Sequence, residues 1–149
     1  MTLVNDITKA IGKAINTEFN AAMDQFEIYS EEIPQVLNEP CFFIQCLESG
    51  HNQFLGERYE RTNSYMIQYF PESEQYESEC AEVTERLYWC LEYITVAGDA
   101  LPIRGTNMHA EAQDKVLNFT VSYNGFVRKI TDKTVMETLT SDVEMKEEG

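Results

Sequence analysis

The sequence predicts an α+β domain: two helices packed on a mostly antiparallel sheet, in the order α-β-β-β-α-β-β, with a long central hairpin strand. Three observations carry this. Arg58–Phe70 alternates throughout, with Tyr59, Arg61, Asn63, Tyr65, Ile67 and Tyr69 on one side and Glu60, Thr62, Ser64, Met66, Gln68 and Phe70 on the other. That is the period of a β-strand, here roughly 40 Å long at about 3.3 Å per residue. Residues 74–95 then place Tyr76, Cys80, Val83, Leu87, Cys90, Leu91 and Ile94 on one helical stripe. Residues 116–127 alternate again, Leu117, Phe119, Val121 and Tyr123 against Asn118, Thr120, Ser122 and Asn124, as in a strand with one wet face.

Taken in order, residues 6–23 form the first helix. Ile7, Ala10, Ile11, Ala14, Ile15 and Phe19 fit the i, i+3, i+4 template, with Asn5 as N-cap and Gly12 marking close packing on the sheet. Residues 26–31 read as a short strand. Pro34 and Pro40 bracket a loop, and residues 41–48 (CFFIQCLE) form a strand apolar on both sides and so deep in the sheet. Residues 49–56, polar and with Gly50 and Gly56 near their ends, read as a mobile connection or the tip of a long hairpin. Pro71 stops the long strand because it lacks an N–H and forces its predecessor into extended geometry. Ser73 is the N-cap of the second helix, whose early glutamates suit the positive end of the helix dipole. Residues 98–102 break the pattern, and residues 103–112 and 116–127 close the sheet as a hairpin through Gln113, Asp114 and Lys115. Residues 1–130 read as one domain, and residues 131–149 as an acidic, flexible extension.

The net charge is −15, with 11 Lys and Arg against 26 Asp and Glu. Phosphate affinity comes from counterions released by Lys and Arg, so direct nucleic-acid binding is not expected. An acidic mimic of nucleic acid stays open. The apolar fraction of 43% fits a globular chain, and no apolar run approaches a membrane span. The start, MTLVNDITKAIGKAIN, lacks a basic, continuous apolar signal pattern, which predicts a cytoplasmic product.

Chemistry is sparse. Cys41, Cys46, Cys80 and Cys90 read as buried, reduced thiols; the Cys41, Cys46, His51 spacing is too wide for a zinc pair. No phosphate-cradling glycine loop, nucleophile elbow or HExxH occurs. His51 and His109 sit in polar settings, and the glutamates of the second helix spread over a solvated face. No catalytic, cofactor or metal residue is expected, and the chain reads as a non-enzyme. Tyr59, Tyr65 and Tyr69, beside Arg61 and Asn63, read equally as a protein-contact surface or as a cover for the core with wet hydroxyls. Arg58, Arg61, Arg104, Lys115, Arg128, Lys129 and Lys133 all belong to strands or their turns, against an acidic second helix. These charges pair either within the chain or head to tail between copies, and head-to-tail contacts that close make rings.

The phrases PCFFIQ, RYERTNSYMIQYFP, RLYWCLEYI, IRGTNMHAE and VLNFTVSYNGFVRK, in this order and spanning residues 1–130, resemble the tail terminator proteins of tailed bacteriophages. They are most similar to the version found in prophages and in contractile phage-tail-like bacteriocins of Gram-positive bacteria. The resemblance implies a homohexameric ring on the head-proximal end of the tail tube that stops polymerisation without catalysing a reaction. The implied partners are the chain itself, the tail tube protein, the sheath protein of a contractile particle and a head-completion or neck protein where there is a head. The implied location is the host cytoplasm during assembly and then the particle. A head–tail adaptor and an acidic DNA mimic are the competing readings. The charge predicts a monomer in low salt that assembles on the tube end, since repulsion between copies is screened only within about 8 Å at physiological salt. Asn52, Phe54 and Arg58, at the projecting end of the long strand, are the expected contacts with a neighbour or the tube. Arg61 and Arg104 are expected to meet Glu79, Glu82 or Glu85 of the adjacent copy.

Overall fold

Helix α1 (Val4–Phe19) forms because Ile7, Ala10, Ile11, Ile15 and Phe19 make one apolar stripe, which is buried. The computed structural model describes residues 4–23, 25–31, 35, 38–97 and 101–129. The helix starts earlier than expected, so Asn5 lies inside it and is not the N-cap. It also stops short of residue 23, because Asn20 takes over the chain there. The Asn20 side-chain oxygen accepts the N–H groups of Gln25 (3.0 Å) and Phe26 (2.9 Å), and its amide donates to the Phe26 carbonyl (3.0 Å). A side chain that satisfies the next turn's backbone competes with further helix.

The strands are β1 (Glu27–Tyr29), β2 (Cys41–Leu55), β3 (Arg58–Phe70), β4 (Tyr93–Ile94), β5 (Ile103–Gln113), β6 (Val116–Tyr123) and β7 (Gly125–Arg128), with α2 (Tyr76–Cys90) between β3 and β4. They form one sheet in the order β1-β2-β3-β6-β5-β4, and β7 pairs with β3. The class is α+β with a mixed, mostly antiparallel sheet. The expected element order is corrected by two further strands, β4 and β7. The pair β1–β2 runs parallel, Ile28 opposite Phe42.

β2 extends beyond residue 48 to Leu55, so the polar, glycine-containing stretch is itself strand, and β2 pairs with β3 along the whole of β3. Gly56, at φ +59°, supplies the left-handed turn residue that a side chain would disfavour. The expected single strand 116–127 splits at Asn124, whose side chain accepts the Asn63 N–H at 3.2 Å in place of a ladder bond. β6 therefore pairs with Ser64–Tyr69 of β3, and β7 pairs separately with Arg58–Arg61.

Both helices cover one face of the sheet. Tyr65, Ile67 and Tyr69 of β3 stand opposite Val121, Phe119 and Leu117 of β6, and all six are buried in one cluster with Phe42, Ile44 and the two helical stripes. The opposite face is a half-buried polar ladder. Gln68 donates to Asn118 Oδ1 (3.0 Å), and the Ser64 and Ser122 hydroxyls meet at 3.2 Å.

α2 is shorter at both ends than the expected 74–95. Its N-cap position is Gln75 without a side-chain cap, so Ser73 is not the N-cap; the Ser73 hydroxyl accepts the Gln75 N–H at 2.9 Å in a local turn. Glu79 reaches back to accept the N–H groups of Glu72 (3.2 Å) and Ser73 (3.0 Å) and the Tyr69 hydroxyl. Just past the C-terminus of the helix, the sheet takes the carbonyls of its C-cap residue Leu91 and of Glu92. Tyr123 donates its hydroxyl to Leu91 O at 2.6 Å, and the Gly105 N–H donates to Glu92 O at 2.7 Å. Gly105 has to be glycine there, since a Cβ would lie 2.6 Å from Leu91 O. Pro34, part of the break at 98–102, and the acidic extension 131–149 lie outside the described residues.

Candidate interaction surface

Beyond Asn63, β2 and β3 leave the helical layer and continue as an arm, stiffened by β7 on the free side of β3. Asn63 marks the exit. It is 4% exposed and fully engaged: its Oδ1 accepts the Ser49 hydroxyl at 3.0 Å and its Nδ2 donates to Tyr123 O at 3.4 Å. Directly opposed residues in neighbouring strands share a face. Asn52, Glu60 and Phe126 thus occupy the outer face of the arm, away from the helices, and His51, Arg61 and Tyr59 occupy the inner one. On the inner face, His51 stacks on Tyr59 (4.7 Å between centroids) and accepts from Arg61 Nε at 3.3 Å. On the outer face the rings of Phe54 and Phe126 meet edge to face at 5.2 Å, yet remain 58% and 59% exposed. Leu55 is exposed at the tip. Arg58 stands opposite Arg128, which reaches Glu57 at 3.3 Å, and the Lys129 N–H ties to Glu57 O at 2.8 Å. An apolar pair inside a basic frame is the outcome.

The second feature lies on the helical layer. Ala10, Lys13, Ala14, Thr17 and Glu18 of α1 face Cys90, Tyr93, Ile94 and Thr95 across an open cleft of about 460 Å³. Tyr93 of its lining is exposed, as is Trp89 on α2. One end is fixed by Arg86, which holds Glu18 Oε2 at 2.9 Å and lies over the Phe19 ring at 4.1 Å. Burial, helped by the Glu18 charge, pushes the Cys90 thiol up to about 12, so the cleft floor is a neutral thiol. Cys41 is pushed to about 11, mainly by burial. Neither thiol is poised as a nucleophile. Cys46, expected to be buried, is exposed, because it lies where β2 leaves the helical layer.

The sequence-derived candidates divide between these regions. Asn52, Phe54 and Arg58 are exposed on the arm; Arg61 is half-buried there against His51. Glu82 and Glu85 are exposed on α2, while the Glu79 carboxylate is occupied inside the chain. Arg104 is exposed on β5, opposite Tyr93. Of the basic residues grouped by sequence, Arg58, Arg61, Arg128 and Lys129 gather on the arm. Lys115 instead sits in the β5–β6 turn above the Tyr76 ring, and Lys133 lies outside the described residues. The tyrosine contact surface is corrected: Tyr65 and Tyr69 are core, because both helices settle on their face of β3, and the Tyr69 hydroxyl is bonded to Glu79 rather than wet. Phe126, Trp89 and Tyr93 were missed. Phe126 carries a readable signal, falling on the opposite parity from Leu117, Phe119, Val121 and Tyr123, and Trp89 likewise lies off the α2 stripe.

Among the described residues no cluster of His, Cys, Asp or Glu could hold a metal ion, and no helix is long and apolar enough to cross a membrane. Comparison with known proteins adds a family: a model described as "Phage tail terminator protein" matches residues 6–135. No curated protein matches. A solved structure is similar over 89% of this chain and 99% of its own, at 10% identity and a TM-score of 0.40, too distant to carry an argument.

Proposed function

This chain belongs to the phage tail terminator family, and from that premise we propose that six copies cap the head-proximal end of the tail tube and halt its polymerisation. It is a structural component of the phage tail. The observation that supports a capping ring is the arm: a three-stranded projection whose apolar, basic tip is left exposed by its own fold. A surface that combines exposed aromatics with arginine has the composition of a protein-contact site. The partners are further copies of the chain, the tube protein and, in a contractile particle of the prophage or bacteriocin type, the last sheath ring. In a particle with a head, a neck protein meets the other side. Arg61 and Arg104 remain the proposed bases at the junction between copies, with Glu82 and Glu85 as their acidic counterparts.

The charge sets the conditions. At −15 per copy, ring closure works against repulsion that salt screens, so the protein is monomeric in dilute low-salt buffer and assembles on the tube end. A stable ring under those conditions would contradict this. The deciding experiment is electron microscopy of tails assembled with and without the protein. Uniform tails with it, and overlong or ragged tubes without it, establish the terminator. Uniform tails in both cases refute it in favour of an adaptor, or of an acidic mimic.

A further inference from the structure

The arm tip and the helical cleft are two unsatisfied surfaces of the same chain, and they match. Each carries exposed aromatic side chains: Phe54 with Phe126 on the tip, and Tyr93 in the lining of the cleft, with Trp89 exposed on α2 next to the lining residue Cys90 in sequence. The cleft is lined by Lys13 and by Glu18, which Arg86 holds, and acidic residues of α2 lie outside that lining. The tip carries Arg58, Arg128 and Lys129 at its strand ends, Arg128 paired with Glu57. On α2, Glu85 and Glu82 lie one and two turns before Trp89, on the same exposed stripe. Lys13, on the α1 wall of the cleft, is the complementary base for Glu60, which shares the outer face with Phe126.

The chain cannot satisfy both surfaces by itself. Phe126 faces away from the helical layer, and the tip stands roughly 15 Å beyond Asn63, the last buried position of β3, at about 3.3 Å per residue. We infer that the arm tip of one copy seats its Phe54–Phe126 pair in the α1/α2 cleft of a second copy, against Tyr93, and that this contact, repeated, is the subunit interface of the ring. Two different patches meet, so the contact is heterologous, the kind that generates a ring when its rotation closes. This deepens the capping-ring reading and rests on it.

The test uses the full chain with the exposed thiol removed (Cys46→Ser). One preparation carries Leu55→Cys on the tip, another Thr17→Cys on the cleft wall. Both are mixed with tail tubes, treated with a short bismaleimide, and the linked peptides mapped. The expected result is a link between the tip of one chain and Thr17→Cys of another. Tip-to-tip links, or links from the tip only to the tube protein, overturn the assignment. In parallel, the double variant Phe54→Asp, Phe126→Asp alters only exposed side chains. It should melt like wild type yet reduce the fraction of capped tubes at least about tenfold, the loss typical of central interface aromatics. Wild-type capping with unimpaired capping by the double variant overturns this contact and leaves the ring standing. Failure of the wild type to form rings overturns both readings.

Discussion

Replacing Tyr123 by Phe removes one oxygen from the point where α2 hands over to the sheet. The ring is 1% exposed, and its hydroxyl donates to the Leu91 carbonyl at 2.6 Å. The substitution leaves that buried carbonyl without this donor, which costs about 1–3 kcal/mol. Taking ~2 kcal/mol, with a urea m-value near ~2 kcal/mol/M, the midpoint should fall by about 1 M. The melting temperature should drop by about 4–8 °C, at ~2–4 °C per kcal/mol for a domain of this size. The assay is equilibrium urea unfolding followed by far-ultraviolet circular dichroism, with m unchanged. Tyr93→Phe is the control: Tyr93 is 54% exposed, so its loss should stay within about 0.5 kcal/mol. A Tyr123→Phe protein that unfolds within the same margin of wild type would refute the claim that this buried bond stabilises the fold.

The other perturbations are simpler. Gly12→Ala should raise stability by up to ~1 kcal/mol, because helix propensity favours alanine and the added methyl finds ordinary contact with Ile44 at 3.6 Å. Gly105→Ala should lower it by ~1–3 kcal/mol, since the new Cβ would meet Leu91 O; thermal melts of the pair should move in opposite directions. Burial raises the phenol pKa of Tyr65, Tyr69 and Tyr123 and the thiols of Cys41 and Cys90. For groups whose folded pKa is raised, stability is fully present below the unfolded pKa and is lost as pH rises towards the folded one. Urea midpoints should therefore hold through neutral pH, fall above the ordinary thiol range, and fall further above about 10, where exposed tyrosines ionise. Constant midpoints up to pH 11 would contradict it. Reversing Arg61 to Glu should abolish assembly on tube ends while the monomer keeps its circular dichroism spectrum, and intact assembly would remove Arg61 from the interface.

The parts legible in the sequence were those governed by periodicity. β3 could be bounded from its alternation, and the α2 stripe named Cys80, Val83 and Leu87, all buried. The ends were not legible, because they depend on partners far along the chain. Only the folded sheet brings Tyr123 and Gly105 to the Leu91 and Glu92 carbonyls just past α2, and only Asn63 meeting Asn124 splits 116–127 into two strands. The same limit explains the tyrosines. Alternation showed that Tyr65 and Tyr69 share a face, but not that both helices would choose that face. Of the surface, exposed single residues such as Phe54 and Arg58 could be nominated from the hairpin, whereas the Phe54–Phe126 pair needs a strand order that no local pattern encodes.

β7 gives the arm a place in time as well as in space. It is the last strand of the described chain, and it closes on β3, which the ribosome releases much earlier. Such a non-local pairing forms late, because the loop between its strands must be closed first. Until Gly125–Arg128 emerge, the arm is a two-stranded ribbon, which by itself is marginal in water. Phe126, half of the tip's aromatic pair, arrives with the same segment. Both the third strand of the arm and half of its aromatic tip therefore depend on one late-forming, four-residue segment.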